Sequence, residues 1–227
     1  MANKTSNKGG RQGLTVRVKT AKGRKSSSTK WLKRQLNDPF VERANREGYR
    51  SRAAYKLIEI DDKFNIFKDD SNVIDLGAAP GSWTQVACKK IDSKKGKVIG
   101  IDLQEVSPIS GVEFIQGDFL DEEVFNSLLK KIDKKFDVVM SDMAAASCGH
   151  QQTDHLRIMA LCEAALDFAI DVLKKEGAFI AKVLQGGAEA NLLSLLKKNF
   201  KSVKHFKPKA SRQDSSEVYV VALGFRG

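Results

Sequence analysis

A chain of 227 residues that is 41% hydrophobic can bury one sizeable core, and no run reaches the roughly eighteen apolar residues that a membrane-spanning helix needs, which predicts a soluble protein. Cys88, Cys148 and Cys162 form an odd set without Cys-x-x-Cys spacing, which argues against a disulfide framework or a zinc knuckle and points to a reducing cytoplasm. The formal net charge of +11 belongs to the N-terminus: residues 1–37 carry eleven of the 39 basic side chains and no acidic one, leaving 28 basic against 28 acidic groups in residues 38–227.

Residues 1–37 are rich in Gly, Ser, Thr and Asn, a composition that predicts poor intrinsic order. A basic arm of this kind suits phosphate backbones, where neutralised phosphates release counterions and binding becomes salt-dependent. A solubilising tail and an organellar transit peptide are the plainer alternatives. The predicted division is an arm over 1–37 and one folded domain over 38–227, with a monomer as the default state.

Asp38-Pro39 reads as a helix start, and Phe40, Val41, Ala44, Ala53, Ala54, Leu57 and Ile58 recur at helical spacing with Gly48 interrupting. Arg43, Arg46, Tyr49, Arg50 and Arg52 interleave cations with an aromatic ring, a plausible RNA-facing surface. From residue 72 strands are predicted at 72–76, 97–102, 112–116, 136–141 and 177–184, alternating with helices at 83–91, 121–132, 153–174 and 187–199. Such alternation means an α/β fold, a parallel sheet covered on both faces. Residues 202–206 and 217–224 are strand-like with no helix between them, so an antiparallel edge hairpin is expected.

The most informative stretch is Val73-Ile74-Asp75-Leu76-Gly77-Ala78-Ala79-Pro80-Gly81-Ser82-Trp83, a strand that runs into a glycine-rich turn and a helix start. Gly77 and Gly81 allow close backbone approach, and the helix start offers unpaired N–H groups. No Gly-Lys-Ser/Thr closes the turn, which excludes a Walker loop, and the two glycines do not make Gly-x-Gly-x-x-Gly. Asp75 beside the turn disfavours a nearby pyrophosphate and favours a ligand with a cationic centre.

Acidic residues recur where the other strands end: Asp102, Asp118 and Asp142. In doubly wound sheets ligands bind at those ends, and Asp102 lies 21 residues past Gly81, the interval at which a carboxylate meets an adenosine ribose. Asp118 is placed to accept from the adenine amino group. Aspartates also cap helices that follow strands, and the adenosine half alone leaves NAD and S-adenosylmethionine both open. Trp83 is placed either against the cofactor or in the core. His150, His155 and His205 do not cluster at ligand spacing, so no metal is expected.

Tyr49-Arg50-Ser51-Arg52-Ala53-Ala54-Tyr55-Lys56-Leu57, the glycine-rich turn, Val138-Val139-Met140-Ser141-Asp142-Met143, Ala181-Lys182-Val183 and Ser216-Glu217-Val218-Tyr219 together resemble the FtsJ family of RNA ribose 2′-O-methyltransferases, over residues 38–226. The resemblance implies a Rossmann-like methyltransferase fold, S-adenosylmethionine as cofactor held by Asp75, Gly77, Gly81, Trp83, Asp102, Asp118 and Asp142, and a catalytic Lys56, Asp142, Lys182 and Glu217. It further implies a uridine of 23S ribosomal RNA in the large ribosomal subunit as the target. A transfer RNA or messenger cap methyltransferase, and a ribosome-assembly factor with dispensable chemistry, remain alternatives. Two departures stand out: Ser82 where the family usually has a second glycine, and Ala144-Ala145-Ala146 where Ala-Pro-Asn is usual.

Lys182 interrupts an apolar strand, Ala178-Phe179-Ile180-Ala181 before it and Val183-Leu184 after it, so its charge needs a reason. A lysine is an ammonium at neutral pH. Burial and the charge of Lys56 would favour its neutral form as a general base for a ribose hydroxyl, while Asp142 and Glu217 would oppose that and orient the amines. Whether Lys182 takes the proton or steers the hydroxyl stays open at this level. Lys207, Lys209 and Arg212 in the last loop are expected to touch RNA.

Overall fold

In the computed structural model the described residues are 25–131, 135–145, 148–185 and 189–227, with Val16, Val18 and Gly23. Strands β1 (Asn72–Leu76), β2 (Lys97–Asp102), β3 (Val112–Gln116), β4 (Phe136–Ser141), β5 (Leu173–Leu184), β6 (Phe200–Phe206) and β7 (Glu217–Phe225) form one seven-stranded sheet in the order β3-β2-β1-β4-β5-β7-β6. The pairs among β1–β5 are parallel, and β7 runs antiparallel between β5 and β6. The strand order reverses direction between β1 and β4, which creates the switch-point crevice where α/β sheets bind ligands.

The first strands fall where the apolar runs place them. β5 starts earlier, at Leu173 rather than 177, because Leu173 still pairs with Phe136 before the register shifts to Val138 opposite Ala178. The intervening Lys174-Lys175-Glu176 is polar, so hydropathy hides this first rung, and Glu176 takes a left-handed φ of 68° in the irregular stretch. The final two strands are the expected antiparallel edge pair, with β7 on the inner side and therefore buried on both faces.

Helices α1 (Ser26–Leu36), α2 (Pro39–Glu47), α3 (Ala54–Phe64), α4 (Ser82–Lys90), α5 (Glu122–Lys131), α6 (Gln151–Val172) and α7 (Glu189–Asn199) cover the sheet. Strand side chains alternate between faces. Ile74, Leu76, Val139, Phe179 and Val220 meet α5, α6 and α7 through Leu128, Leu166 and Leu196, whereas Val73, Met140, Ile180 and Val221 meet α3 and α4 through Leu57, Ile60 and Val86. The second face also carries two buried charged side chains, Asp75 and Lys182. Burial there without a partner would be costly. This face therefore positions the site.

α2 begins where Asp38-Pro39 predicts: the Asp38 carboxylate accepts from the Phe40 N–H, and Gly48 ends the helix at φ 74°. α1 is a helix that composition alone does not suggest, occupying the last third of the basic arm. Asn37 behind it accepts from the Val16 N–H and donates back to the Val16 carbonyl. Most of the preceding arm lies outside the described residues. Among the described residues no helix is long and apolar enough to cross a membrane, and no group of His, Cys, Asp and Glu is arranged to hold a metal ion.

Candidate active site

Strand parity assembles the centre. Lys182 on β5 stands opposite Tyr219 on β7, Glu217 lies two residues before Tyr219 on the same face, and Asp142 follows the end of β4, whose Ser141 pairs with Ala181. Lys56 reaches in from the first turn of α3. The four residues proposed from the sequence thus meet at one point.

Their contacts form a continuous chain. Lys182 Nζ donates to the Asp142 main-chain oxygen at 2.7 Å and lies 3.2 Å from Asp142 Oδ1. Asp142 Oδ2 is 3.7 Å from Lys56 Nζ, which also lies 2.8 and 2.9 Å from the two Glu217 oxygens. Lys182 is 8% exposed, so this is a largely dehydrated network in which charge-assisted hydrogen bonds are strong. Burial by itself would raise the Asp142 pKa, but the charges of Lys56 and Lys182 and the bonds from Tyr219 and Lys182 outweigh it and hold the carboxyl below its usual value.

Sequence reasoning missed two partners. Tyr219 Oη donates to Asp142 Oδ1 at 2.7 Å, and Ser211 Oγ donates to Glu217 Oε1 at 2.8 Å. Burial, followed by the charges of Asp142 and Glu217, pushes the Tyr219 phenol well above its usual pKa, so it remains a donor. The clue to Tyr219 is its spacing of two from Glu217, which puts both on one strand face. Ser211 lies in the irregular β6–β7 loop, where no periodicity announces it.

Two clefts flank this network. One, of about 540 Å³, opens at the carboxyl ends of β1 to β4 and is lined by Gly77, Asp102, Asp118, Asp142, Met143 and Ala144 among others. The second, of about 450 Å³, is lined by Arg34, Arg52, Lys56, Arg212 and Glu217 among others. Asp142 faces the first and Lys56 the second, so the ion pair between them is the partition.

In the first cleft Asp102 accepts from the Ala79 and Gln104 N–H groups at 2.8 Å each, and Asp118 Oδ1 accepts from the Leu120 N–H at 3.0 Å. These bonds fix the loops while leaving lone pairs on each carboxylate, which has about four acceptor sites. Gly77, at φ 75°, is required, since a Cβ there would lie 2.3 Å from Met143 Cγ. Asp75 sits behind the turn at 1% exposure. Its Oδ2 accepts from Thr84 Oγ1 at 2.6 Å, and its buried Oδ1 has no hydrogen-bond partner. Burial pushes its pKa up to about 7, the Thr84 bond opposing and the Asp142 and Asp102 charges adding to the rise.

Other expected residues are used differently. Trp83 does not line the cleft: it is 3% exposed, donates through Nε1 to the Ala53 carbonyl at 3.0 Å and packs 5.5 Å from the Tyr219 ring, so the core reading replaces the cofactor contact. Gly81 caps α4 at φ 102°, also outside the cleft lining, with Arg50 close against it. Arg50 ties two loops together by donating to the Pro80 and Pro108 carbonyls at 2.9 Å each. Arg43 pairs with Glu47 at 2.7 Å. Of the basic cluster in residues 43–52, Arg52 is the one that faces the second cleft, held by Asp38 at 2.8 Å. In the last loop Arg212 lines that cleft, whereas Lys207 Nζ turns back to the Ser215 carbonyl at 2.6 Å. Ser82 is buried with its hydroxyl 2.7 Å from that of Ser51, so it joins the glycine-rich turn to the segment leading into α3. Ala144 lines the first cleft, while Ala146 lies outside the described residues.

Residues 49–225 match the model of the FtsJ-like methyltransferase family. The chain belongs to that family. It is 57% identical over its full length to a protein from Cereibacter sphaeroides named ribosomal RNA large subunit methyltransferase E, 96% of which it covers. It is 56% identical to the protein of the same name from Ruegeria pomeroyi, with both chains fully covered. A crystal structure of a protein named as a ribosomal RNA methyltransferase from Plasmodium falciparum superposes with a TM-score of 0.71 at 37% identity, covering 79% of this chain and all of the other. The architecture is accordingly a Rossmann-like methyltransferase fold, a mostly parallel sheet with an antiparallel edge pair.

Proposed function

We propose that the protein transfers a methyl group from S-adenosylmethionine to a ribose 2′-hydroxyl of large-subunit ribosomal RNA, at a uridine of the 23S molecule. The observation that carries this reading is the Lys182–Asp142–Lys56–Glu217 chain standing between an acidic cleft and a basic one. The relatives named as ribosomal RNA large subunit methyltransferases supply the substrate class.

The residues of the first cleft fit the cofactor. Asp102 and Asp118 offer carboxylates to hydroxyl and amino donors, whereas Asp75, expected from the sequence to touch the cofactor, is 1% exposed, does not line the cleft and acts on it from behind as a buried acceptor. Bound there, S-adenosylmethionine would supply an electrophilic methyl on a cationic sulfur. No described cluster of metal ligands enters the scheme.

The chain's own residues act on the hydroxyl. Lys182 Nζ, fixed by the Asp142 carbonyl and carboxylate, is the group that meets the 2′-oxygen, holding it in line and receiving its proton when present as the free amine. Asp142, fixed in turn by Tyr219, keeps that nitrogen oriented. Lys56, clamped by Glu217, sits on the acceptor side and steadies negative charge as it grows on the oxygen. Arg52 and Arg212 suit the flanking phosphates, and the basic residues of 1–37 add salt-dependent affinity.

The test is transfer of labelled methyl to large ribosomal subunits, free 23S RNA and transfer RNA, followed by alkaline hydrolysis. A 2′-O-methyl blocks cleavage of its own linkage, so the label should appear in an alkali-resistant dinucleotide containing uridine from large-subunit RNA. Label released in mononucleotides would mean base methylation and overturn the ribose assignment.

A further inference from the structure

The exposed apolar residue least explained by the site is Trp31, which is 54% exposed on α1. Three and four residues later come Arg34 and Gln35, which line the basic cleft. Positions i, i+3 and i+4 share one helix face, so Trp31 stands one turn before the residues that wall the acceptor side. Arg34 Nη1 lies 3.9 Å from Asp214 Oδ2 in the β6–β7 loop, which sets α1 against the loop that carries Arg212. A cleft with cations on its walls and an exposed indole one helical turn from its lining has the two components of a single-strand nucleic-acid platform: charge for the backbone and a flat ring for a base.

We infer that Trp31 stacks on an unpaired base of the RNA next to the methylated nucleotide, and that α1 is a wall of the substrate channel rather than part of a featureless tail. This rests on the acceptor being RNA, as proposed above, and adds the element that reads its strandedness. The charge complementarity is strong: the arm that includes α1 has eleven basic residues and no acidic one. Inside a duplex both faces of every base are already stacked, so stacking at an internal nucleotide selects a loop or an opened strand.

The chain's two tryptophans separate the signal, because Trp83 is 3% exposed. Titrating the full-length protein with single-stranded oligouridylate should quench tryptophan fluorescence, and the quench should vanish in Trp31→Phe, which keeps Trp83. Trp31→Ala should weaken oligouridylate binding about five- to tenfold, with Trp31→Phe recovering most of it and the slope of log affinity against log salt unchanged. Arg34→Ala should instead lower that slope by about one. In methyl transfer, Trp31→Ala should raise the RNA KM with kcat nearly unchanged, as expected for uniform binding. No quench together with an unaltered Trp31→Ala affinity overturns the inference, as does an equal loss on a blunt RNA duplex. If wild type transfers no methyl to any RNA, the functional proposal falls, while the oligouridylate titration still decides the stacking.

Discussion

The two clefts are built by opposite means. The acidic one is framed by the ends of four parallel strands and their following turns, with backbone N–H groups fixing Asp102 and Asp118. The basic one is walled by α1, the start of α3 and the β6–β7 loop, elements held by side-chain pairs such as Arg52 with Asp38. Under the proposed function, the sheet would give precision where the methyl is delivered, and the appended helices and loop would give reach where RNA is gripped. The residues between them, Lys182 and Asp142 on the sheet side and Lys56 on the helical side, join the two.

The sharpest way to break this division is Asp142→Ala, which removes the partition itself and leaves Lys182 and Lys56 without their shared carboxylate. Loss of methyl transfer by about a hundredfold or more is expected with RNA affinity nearly unchanged, measured as initial rates beside equilibrium RNA binding. If RNA affinity fell as far as the rate, the two clefts would be one site.

Asp75 tests the acidic side. Its folded pKa, about 7, lies above that of an unfolded aspartate, so the native state holds an extra proton between about pH 4 and 7 and loses stability as pH rises through that window. The cofactor-free wild type should therefore melt at a lower temperature near pH 8 than near pH 5, and Asp75→Asn should flatten this difference while weakening cofactor binding only a few-fold, since the carboxylate lies behind the cleft lining. Thermal unfolding at several pH values and calorimetric titration with S-adenosylmethionine report the two effects. A pH dependence unaltered by the substitution would mean that the buried carboxylate is not what destabilises the empty protein.

Tyr219→Phe sharpens the link between sheet and site. It leaves the Asp142 carboxylate short of one 2.7 Å donor, so a stability loss of about 1–3 kcal/mol by urea unfolding and a lower kcat are expected with KM for RNA held. A rise in the RNA KM instead would assign Tyr219 to substrate binding. Smaller still, Arg212→Ala on the basic side should weaken RNA binding a few-fold and reduce its salt slope by about one, leaving cofactor affinity intact. The smallest change is Ser82→Gly, which deletes the hydroxyl pair with Ser51 and should cost about 1 kcal/mol of stability or less.

How much of this was legible follows the same division. Residues 72–76 and 136–141 announce themselves because buried parallel strands read as apolar runs, and parity then carries Asp142, Lys182 and Glu217 to one face. The acidic cleft inherits that regularity. Trp83 shows the limit, since an indole at a helix start fits a core or a ligand equally and only packing against Tyr219 decides it. The basic cleft was harder to read: Asp38 at a helix start meets both Arg52 and, from the far end of the chain, Arg212, while Ser211 reaches Glu217 from within an irregular loop, and none of these contacts follows a period. Arg50 looked like an RNA contact by composition and is engaged as a clamp on the Pro80 and Pro108 carbonyls, because a guanidinium bonds loop carbonyls as readily as phosphate. The helix in residues 26–36 was masked by its serines and lysines, and its Trp31 gained meaning only beside Arg34 at the cleft.

The most direct test of the central claim, that Lys182 acts on the acceptor hydroxyl at the junction of the clefts, is transfer of labelled methyl to large-subunit ribosomal RNA by wild type and Lys182→Ala, with cofactor and RNA binding measured on the same preparations. The account expects both binding affinities to stay within about twofold while the rate falls by about a hundredfold or more. Equal incorporation by the two proteins would contradict it.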